Sequence, residues 1–229
     1  MILRSLDKKY NAIEKCLQIL SIFSLDKTRF SINEICEKLD FNISTTYRIL
    51  STLEEYGYVS RLKSKDYVVG TQALYLSAIY TQSNHLEQIR TIVDTIRDIS
   101  GETASFFVEE DSMRICLYRA HSRDEIIHNI EQGSRLELNR GASGRIILAY
   151  GKRQKDKKGF YKDIRDQGYY LSINEHNASL FALAVPVLSN SDKFVGAIVV
   201  SGPISRFDDQ QKISLLKLLN DQLENIVMP

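Results

Sequence analysis

FSINEICEKLDFNISTTYRILSTLEEYGYV, residues 30–59, contains two helical patterns separated by a short polar turn. Ser31 and Glu34 form an S-x-x-E pattern, which is typical of a capping box at the start of a helix. Apolar residues at helical spacing follow this box, and a second, longer helix is predicted over about 43–56. The stretch therefore predicts a short helix, a tight turn and a longer helix.

The longer helix is predicted to have two different faces. At 100° per residue its inner face carries Thr46, Ile49, Leu50 and Leu53. Its opposite face carries Ser44, Arg48, Ser51 and Glu55, with Thr45 and Tyr47 at the flanks. Hydroxyl groups at the front of a helix have two interpretations: they cap the free backbone amides, or they contact a partner outside the protein.

The flanking segments complete a recognisable order of elements. An amphipathic helix is predicted over residues 9–24, and residues 25–30 form a polar connection. Tyr58-Val59 and Tyr67–Val69 are strand formers that bracket the basic segment RLKSKD, which predicts a hairpin. Three helices followed by a basic hairpin are typical of a winged helix-turn-helix that places its third helix in the major groove.

This order favours binding of double-stranded operator DNA over the simpler interpretations of its parts. Taken singly, the hydroxyls are caps, Arg48 is a solvated charge and the basic loop is soluble surface. A winged helix that binds protein is a further alternative. The predicted DNA contacts are Ser31, Ser44, Thr45, Tyr47, Arg48, Thr52, Arg61, Lys63 and Lys65.

The composition limits the remaining classes of function. The chain has 229 residues, 43% of them hydrophobic, and a net charge of +1. No apolar run approaches the roughly 20 residues of a membrane span, and the first residues lack a signal-peptide core, so we expect a cytoplasmic protein without a membrane partner. Three isolated cysteines and widely spaced histidines (His85, His121, His128 and His176) predict neither a metal site nor a cofactor.

The second half predicts an α+β domain. Helices are predicted over 71–83 and on to about 100, then over 141–151, 155–168 and 208–227. TASFFVEED and RICLYRAH are strand-like, a further strand region is predicted over 126–138, and SLFALAVPVLSN with KFVGAIVVSGP predicts a β pair. Strands bracketed by helices indicate a single sheet covered by helices.

At these residues the chain resembles the IclR family of transcription regulators. NAIEKCLQILSIFS resembles the opening helix of the family, and the stretch quoted first resembles its S-T-x-x-R-x-L core followed by T-L-x-x-x-G-Y-V. GSRLELNRGASGRIILAY and FALAVPVLSNSDKFVGAIVVSGPISRF resemble its later segments. The resemblance implies a winged helix-turn-helix over 1–70, a linker helix over 71–83 and a GAF-like effector and oligomerisation domain with a mostly antiparallel sheet over 84–229.

The resemblance also implies an effector pocket. The segment beginning at Arg140 predicts a helix start whose free amides suit an anion, and the family places amides of this kind at Ala142 and Ser143. Ser172 stands where the family has an acid, Ala182 where it has a cysteine, and Val199 and Ser201 where it has hydroxyls. With Phe106, Ala182 and Val199 in the wall, we expect a larger or more apolar effector than a small oxoacid, such as an aromatic or apolar acid.

An enzyme is the main alternative class, and the sequence argues against it. The segment GASGR lacks the second glycine that a G-x-S-x-G nucleophile elbow requires, since Arg145 stands in its place. No nucleophile–base pair is apparent, and Glu109-Glu110 is interpreted as a solvated turn. The predicted function is therefore a homodimeric or homotetrameric regulator, not an enzyme, in which an effector modulates operator binding.

Overall fold

The computed structural model describes residues 11–83, 86–123, 130–151, 159–175 and 179–224. The chain divides into two compact units, Met1–Asn84 and His85–Pro229. The N-terminal unit has one hydrophobic core, and the C-terminal unit has a core on each face of its sheet. None of the described helices is long and apolar enough to span a membrane.

Three helices build the core of the N-terminal unit. They are α1 (Ala12–Ser21), α2 (Ile32–Leu39) and α3 (Ile43–Glu55). Each contributes a fully buried aliphatic side chain, namely Ile19, Ile35 and Leu50. Capping boxes begin α1 at Asn11 and α2 at Ser31. The predicted helical order is confirmed, although α1 ends earlier than its apolar pattern indicated.

The turn between α2 and α3 settles which residue caps α3. Asp40 turns the chain with a left-handed φ of 56°, and Phe41 is buried behind it. The Asn42 side-chain oxygen accepts a hydrogen bond from the Thr45 amide at 2.9 Å. The Ser44 hydroxyl donates to that same Asn42 oxygen, at 3.3 Å. Asn42 is therefore the cap, and the hydroxyls of Ser44 and Thr45 are not needed for it.

Thr46 packs inward, as its position on the helix predicts. Its side chain is fully buried, and its hydroxyl donates to the Asn42 carbonyl at 3.0 Å. The Cys36 thiol donates to the Thr46 hydroxyl at 3.3 Å. The hydroxyl is thus satisfied within the fold, so it has no part in an outer surface.

The wing is a three-stranded sheet rather than the two-stranded hairpin that was predicted. Its strands are β1 (Arg29–Phe30), β2 (Val59–Arg61) and β3 (Tyr67–Val69), in the order β1-β3-β2. The expectation that residues 25–30 only connect two helices is therefore wrong for the last two. Phe30 pairs with Tyr67, and both side chains are buried. A two-residue strand is too short to give an alternating pattern, which is why the sequence did not reveal it.

The next two helices are α4 (Gln72–Ser83) and α5 (Leu86–Ser100). Gly70 lies just before α4 and joins it to the turn that follows α3, since its amide donates to the Tyr58 carbonyl at 2.8 Å. A Cβ at Gly70 would lie 2.1 Å from the Gly57 carbonyl oxygen, so only glycine fits this close backbone approach. Helix α4 exposes large apolar side chains at Leu74, Tyr75, Leu76, Ile79 and Tyr80.

A six-stranded antiparallel sheet forms the C-terminal unit. Its strands are β4 (Thr103–Glu110), β5 (Met113–Ala120), β6 (Arg135–Glu137), β7 (Tyr170–Ile173), β8 (Leu180–Leu188) and β9 (Phe194–Pro203). They lie in the order β6-β5-β4-β9-β8-β7. The predicted α+β class with an antiparallel sheet is confirmed.

Helices cover both faces of this sheet. On one face, α5 and α8 (Asp209–Leu223) share a core with Phe106, Leu183, Ile198 and Val200. On the other face, α6 (Gly141–Tyr150) and α7 (Phe160–Gln167) pack against Phe107, Ala184 and Val199. Alternate residues of each strand serve opposite cores, so a single position along a strand decides which core a side chain enters.

A β-bulge interrupts this alternation between β4 and β5. Phe106 pairs with Tyr118 but Phe107 pairs with Cys116, so Leu117 has no partner on β4. The extra residue reverses the side-chain parity of β5 beyond it. Arg119 consequently faces the same side of the sheet as Arg114, although five positions separate them in the sequence.

Other differences from the prediction concern short elements. Strand β7 was not predicted, because four residues between a polar helix and a long strand give little periodic signal. Within the predicted strand region 126–138, β6 spans Arg135–Glu137, and residues 124–129 lie outside the described residues. The predicted helix 155–168 corresponds to α7 from residue 160, and residues 152–158 also lie outside them.

Because Asn42 caps α3, its substitution should lower the stability of this helix. Replacing Asn42 with alanine removes the acceptor of the Thr45 amide and should lower the local stability of α3 by about 1 kcal/mol. Ser44→Ala, the matched control two residues further along, should change it by less than about 0.5 kcal/mol. Hydrogen exchange of the α3 amides measures both. An equal loss in Ser44→Ala would contradict the assignment.

Candidate DNA-binding and effector sites

The outer face of α3 presents polar and aromatic side chains to solvent. Ser44, Arg48 and Thr52 are exposed, and Tyr47 is 54% exposed. Thr45 is half-buried beside them. The Thr52 hydroxyl donates to the Arg48 carbonyl at 3.2 Å, so it is partly occupied within the helix. The face thus combines small hydroxyls, an aromatic ring and one guanidinium, a set that can approach base edges and phosphates.

Ser31 lies at the start of α2 and already has local partners. Its hydroxyl donates to the Glu34 carboxylate at 3.0 Å, and Lys27 donates to the same carboxylate group at 2.8 Å. Hydrogen bonds from Lys27 and then from the backbone and hydroxyl of Ser31 lower the pKa of Glu34 to about 2. Among the predicted DNA contacts, Ser31 is therefore the one whose side chain serves a capping box.

The tip of the wing carries the predicted basic residues on its surface. Arg61, Lys63 and Lys65 are all exposed. The Arg61 guanidinium lies 5.6 Å from the centre of the Tyr67 ring, a cation–π distance. Asp66 accepts a hydrogen bond from Ser64 at 2.9 Å. The tip is therefore a compact cationic turn that can approach a phosphate backbone.

The C-terminal unit contains a small cavity of about 60 Å³ between the start of α6 and the sheet. Six of the predicted effector residues line it: Ala142, Ser143, Ser172, Ala182, Val199 and Ser201. Ser172 and Ser201 lie opposite Ala182 on neighbouring strands, so the three share one wall. Residues that are far apart in the sequence are thus brought to one concave surface.

The prediction for Phe106 is wrong. This side chain lies in the core on the α5 and α8 face, whereas the cavity opens on the α6 face. Phe107, its neighbour along β4, lines the cavity instead. The sequence shows two adjacent phenylalanines in a strand but does not reveal which of them faces α6, because both faces of this sheet are buried.

The start of α6 leaves backbone amides without a side-chain cap. Arg140 occupies the cap position but makes no side-chain hydrogen bond to the helix. The first amides of a helix have no acceptor within it, so those of Ala142 and Ser143 are available at the cavity. A Cβ at Gly144 would lie 2.2 Å from the Leu138 carbonyl oxygen, so only glycine permits this close approach of the helix start to the Leu138 backbone. The arrangement suits an anionic group.

Two arginines that the sequence analysis missed also line the cavity. Arg114 is 4% exposed; its guanidinium donates to the Ser143 hydroxyl and, at 3.1 Å, to the Glu137 carbonyl. Arg119 donates to the Ser105 hydroxyl at 3.0 Å. Burial lowers the pKa of Arg114 to about 10 and also lowers that of Arg119. Two arginines in the otherwise apolar strand RICLYRAH were the available signal.

The cavity and its surroundings offer little for catalysis or metal binding. Within the described ranges, no group of three histidine, cysteine, aspartate or glutamate side chains is placed to hold a metal. Burial raises the pKa of the Cys116 thiol to about 11, which leaves it protonated and a poor nucleophile. His121 lies 3.4 Å from Glu131, whereas His85, His128 and His176 lie outside the described residues.

Two protein-family models match the chain, one in its N-terminal region and one in its C-terminal region. Residues 12–63 match the model of the IclR helix-turn-helix domain. Residues 78–162 and 156–228 match the model of the bacterial transcriptional regulator IclR C-terminal domain. The two models together account for most of the chain, and both halves point to the same family.

Curated relatives of similar length are also transcription regulators. The HTH-type transcriptional regulator BhcR of Paracoccus denitrificans is 25% identical over 223 residues, covering 86% of this chain and 79% of the relative. The HTH-type transcriptional regulator KdgR of Dickeya chrysanthemi is 23% identical, covering 99% of this chain and 83% of the relative. The similarity therefore extends across both units.

Solved structures show the same fold. An IclR transcriptional regulator from Silicibacter has a TM-score of 0.80 at 24% identity, covering 93% of this chain and 94% of that one. An IclR homolog from Microbacterium hydrocarbonoxydans, complexed with 4-hydroxybenzoate, has a TM-score of 0.78 at 14% identity, covering 93% and 98%. With both family models matched along the chain and the fold shared over its length, this protein belongs to the IclR family of helix-turn-helix transcriptional regulators.

Proposed function

We propose that this protein binds operator DNA through α3 and the wing, and that a small organic acid in the cavity of the C-terminal unit modulates this binding. The observation that carries the proposal is the outer face of α3. Asn42 supplies the cap, so Ser44 and Thr45 are left to contact a partner beside Arg48. A capped helix with an outward polar front is the geometry that reads base edges in the major groove.

Each predicted contact residue has a role suited to its position. Arg48 is placed to address guanine or a phosphate, and Tyr47 adds an exposed ring beside it. Thr45 and Ser44 are small enough to permit close approach of the backbone to the groove. The basic wing residues Lys63 and Lys65, together with Arg61, suit the neighbouring phosphates, which fix position rather than sequence. Ser31 and Thr52 contribute at the edges of this surface.

The domain limits and the assembly form part of the same proposal. We assign 1–70 to DNA binding, 71–83 to a linker helix and 84–229 to effector binding and oligomerisation. Helix α4 exposes Leu74 by 75% and Tyr75 by 61%, an unusual surface for a helix that faces only water. A homodimer that covers this apolar helix would present two α3 helices to a palindromic operator, and a tetramer would pair two such dimers.

The effector belongs to the class of organic acids. The cavity combines apolar walls at Ala182 and Val199 with the amides at the start of α6. A relative of the same fold is complexed with the aromatic acid 4-hydroxybenzoate, which supports an acid with an apolar or aromatic frame. The hydroxyls of Ser172 and Ser201 are placed to orient it. Such a ligand shifts the protein between states that bind DNA differently.

Catalysis is not part of the proposed function. The described cavity residues include hydroxyl groups at Ser105, Ser143, Ser172 and Ser201 but no histidine or carboxylate that could serve as their base. The protein acts where the DNA is, so we propose a cytoplasmic location.

Loss of the reading face should weaken DNA binding. We expect the Thr45→Ala/Arg48→Ala double variant to bind its selected operator with an affinity lower by about 1–3 kcal/mol, because a bidentate contact to a base is lost. Lys63→Ala/Lys65→Ala should weaken all sequences alike and reduce the salt dependence by about one unit of slope for each lost phosphate contact. Shift assays with duplexes selected from a random library measure both.

The control for this prediction is Arg135→Ala, which removes an exposed positive charge from the C-terminal unit. It should bind DNA like the unmodified protein. Undiminished operator binding by the double variant would show that α3 is not the reading element.

Filling the cavity should abolish the response to organic acids without abolishing operator binding. Ala182→Leu places a larger side chain in the effector wall, so we expect operator binding to persist while any response to organic acids in the shift assay disappears. Thermal unfolding with and without 4-hydroxybenzoate tests ligand entry independently. A full ligand response in Ala182→Leu would mean that the effector binds elsewhere.

Charging α4 should disrupt the assembly. Leu74→Lys/Leu76→Lys places two charges on the apolar surface of the helix, and we expect a shift toward monomer in sedimentation experiments, because burying unpaired charges is unfavourable. Operator binding should weaken in parallel, since a monomer presents one α3. Lys217→Leu, a change of opposite polarity on α8, should leave the assembly unchanged. An unaltered sedimentation coefficient in the double variant would exclude α4 from the interface.

A further inference from the structure

Two guanidinium groups enter the effector cavity from a single strand. Arg114 and Arg119 both lie on β5, and the bulge at Leu117 turns them to the same face of the sheet. Arg114 reaches the start of α6 and contacts Ser143, whereas Arg119 contacts Ser105 on β4. The two positive charges therefore lie on different walls of the cavity.

Neither charge is neutralised within the described residues. The partners of both guanidinium groups are neutral hydroxyls and a backbone carbonyl. The Nε and one Nη atom of Arg119 are buried and have no hydrogen-bond partner. A buried cation without a paired anion is unfavourable by several kcal/mol in general, so two such groups in one cavity favour the binding of an anion.

The described acidic side chains near Arg114 and Arg119 do not form ion pairs with them. Glu109 lies directly across from Arg114 in the strand register, yet its carboxylate is beside Gly151, where an added Cβ would lie 3.1 Å from it. Glu131 influences Arg119 only at longer range, and its carboxylate lies 3.4 Å from His121. Among the described residues, neither Glu109 nor Glu131 forms an ion pair with Arg114 or Arg119.

We infer that the cavity is built for a small dianion, an acid that carries two negative charges on a short carbon frame. Arg114 and the amides at the start of α6 hold one acidic group, and Arg119 holds the other. Phe107, Ala182 and Val199 cover the carbon frame. This inference rests on the proposed effector function and deepens it, because it names the charge of the ligand that the regulator senses.

Two sources of such a ligand share this chemistry, namely dicarboxylic acids and phosphate monoesters. Arginine suits both, since its planar fork donates two parallel hydrogen bonds to a carboxylate or a phosphoryl group. Separate anchors on two walls favour a dicarboxylate, whereas a phosphate monoester would place both charges at the start of α6. The probes are therefore succinate, glutarate and glycerol 3-phosphate, with the monoamide succinamate as the singly charged match for succinate.

Calorimetry on the full chain at constant ionic strength tests the inference. At least one dianion should bind about 10–100-fold more tightly than succinamate, the range expected for one additional hydrogen-bonded charge. A preference for succinate or glutarate should be lost in Arg119→Gln, which removes the charge but retains a donor for Ser105, whereas a preference for glycerol 3-phosphate should survive there because both of its charges lie at the start of α6. Arg135→Gln, which changes an exposed arginine on the adjacent strand, should retain either preference. Equal binding of succinamate, a preference for a dicarboxylate that survives in Arg119→Gln, or binding of none of the three dianions would overturn the inference.

A second measurement does not depend on the choice of ligand. Without ligand, Arg119→Gln should unfold at a higher temperature than the unmodified protein, because it removes a positive charge that has no counter-ion. A purely structural role for Arg119 predicts the opposite, and a lower unfolding temperature would therefore count against a ligand-binding role. Arg135→Gln should leave the unfolding temperature nearly unchanged.

The experiments distinguish a failure of the dianion inference from a failure of the regulator function. If the unmodified protein and Arg135→Gln bind selected operator DNA but no dianion is preferred, the inference about charge is wrong and the regulator function stands. If the unmodified protein selects no DNA sequence, the proposed function itself fails, whatever the calorimetry shows.

Discussion

Helix α3 must bury one side, and this constraint determines what the rest of the N-terminal unit can do. Thr46, Leu50 and Leu53 pack inward against α1, α2 and the wing. With 3.6 residues per turn, Ser44 and Arg48 then point away from the core. The outward face is thus a direct result of core packing, and any change that rotated α3 would alter the stability of the core and the presented surface together.

The polar residues at the front of this helix have different roles in capping and packing. Asn42 holds the Thr45 amide, and Thr46 satisfies itself against Asn42 and Cys36. The sequence pattern alone left capping and contact as competing roles for the hydroxyls. The structure assigns capping to a residue before the helix, so the hydroxyls of Ser44 and Thr45 do not serve as the cap.

The helices and long strands were predictable from the sequence because each has a clear apolar period. The three-helix order and its wing were also specific enough to suggest the family. Strand β1 and strand β7 were missed since two to four residues do not establish a period. Phe106 was misplaced because both faces of the sheet are buried, so apolar character does not distinguish Phe106 from Phe107.

The cavity shows a different limit of sequence reasoning. Its small residues, from Ala142 to Ser201, were located by resemblance, and they suggested an apolar ligand. Its charge comes from Arg114 and Arg119, whose common orientation depends on one bulged residue that no periodic pattern reveals. Chemical character and backbone register must both be known before the polarity of such a site can be assigned.

The bulge at Leu117 also makes strand register a determinant of ligand charge. If β5 kept every residue but paired without the bulge, Leu117, Tyr118 and Arg119 would lie opposite Phe106, Ser105 and Ala104, and the side chain at position 119 would enter the core beneath α5 and α8. A related chain could therefore lose a cationic anchor through a change in strand pairing alone. Such a change in the sensed signal would leave no substitution in the wall of the pocket.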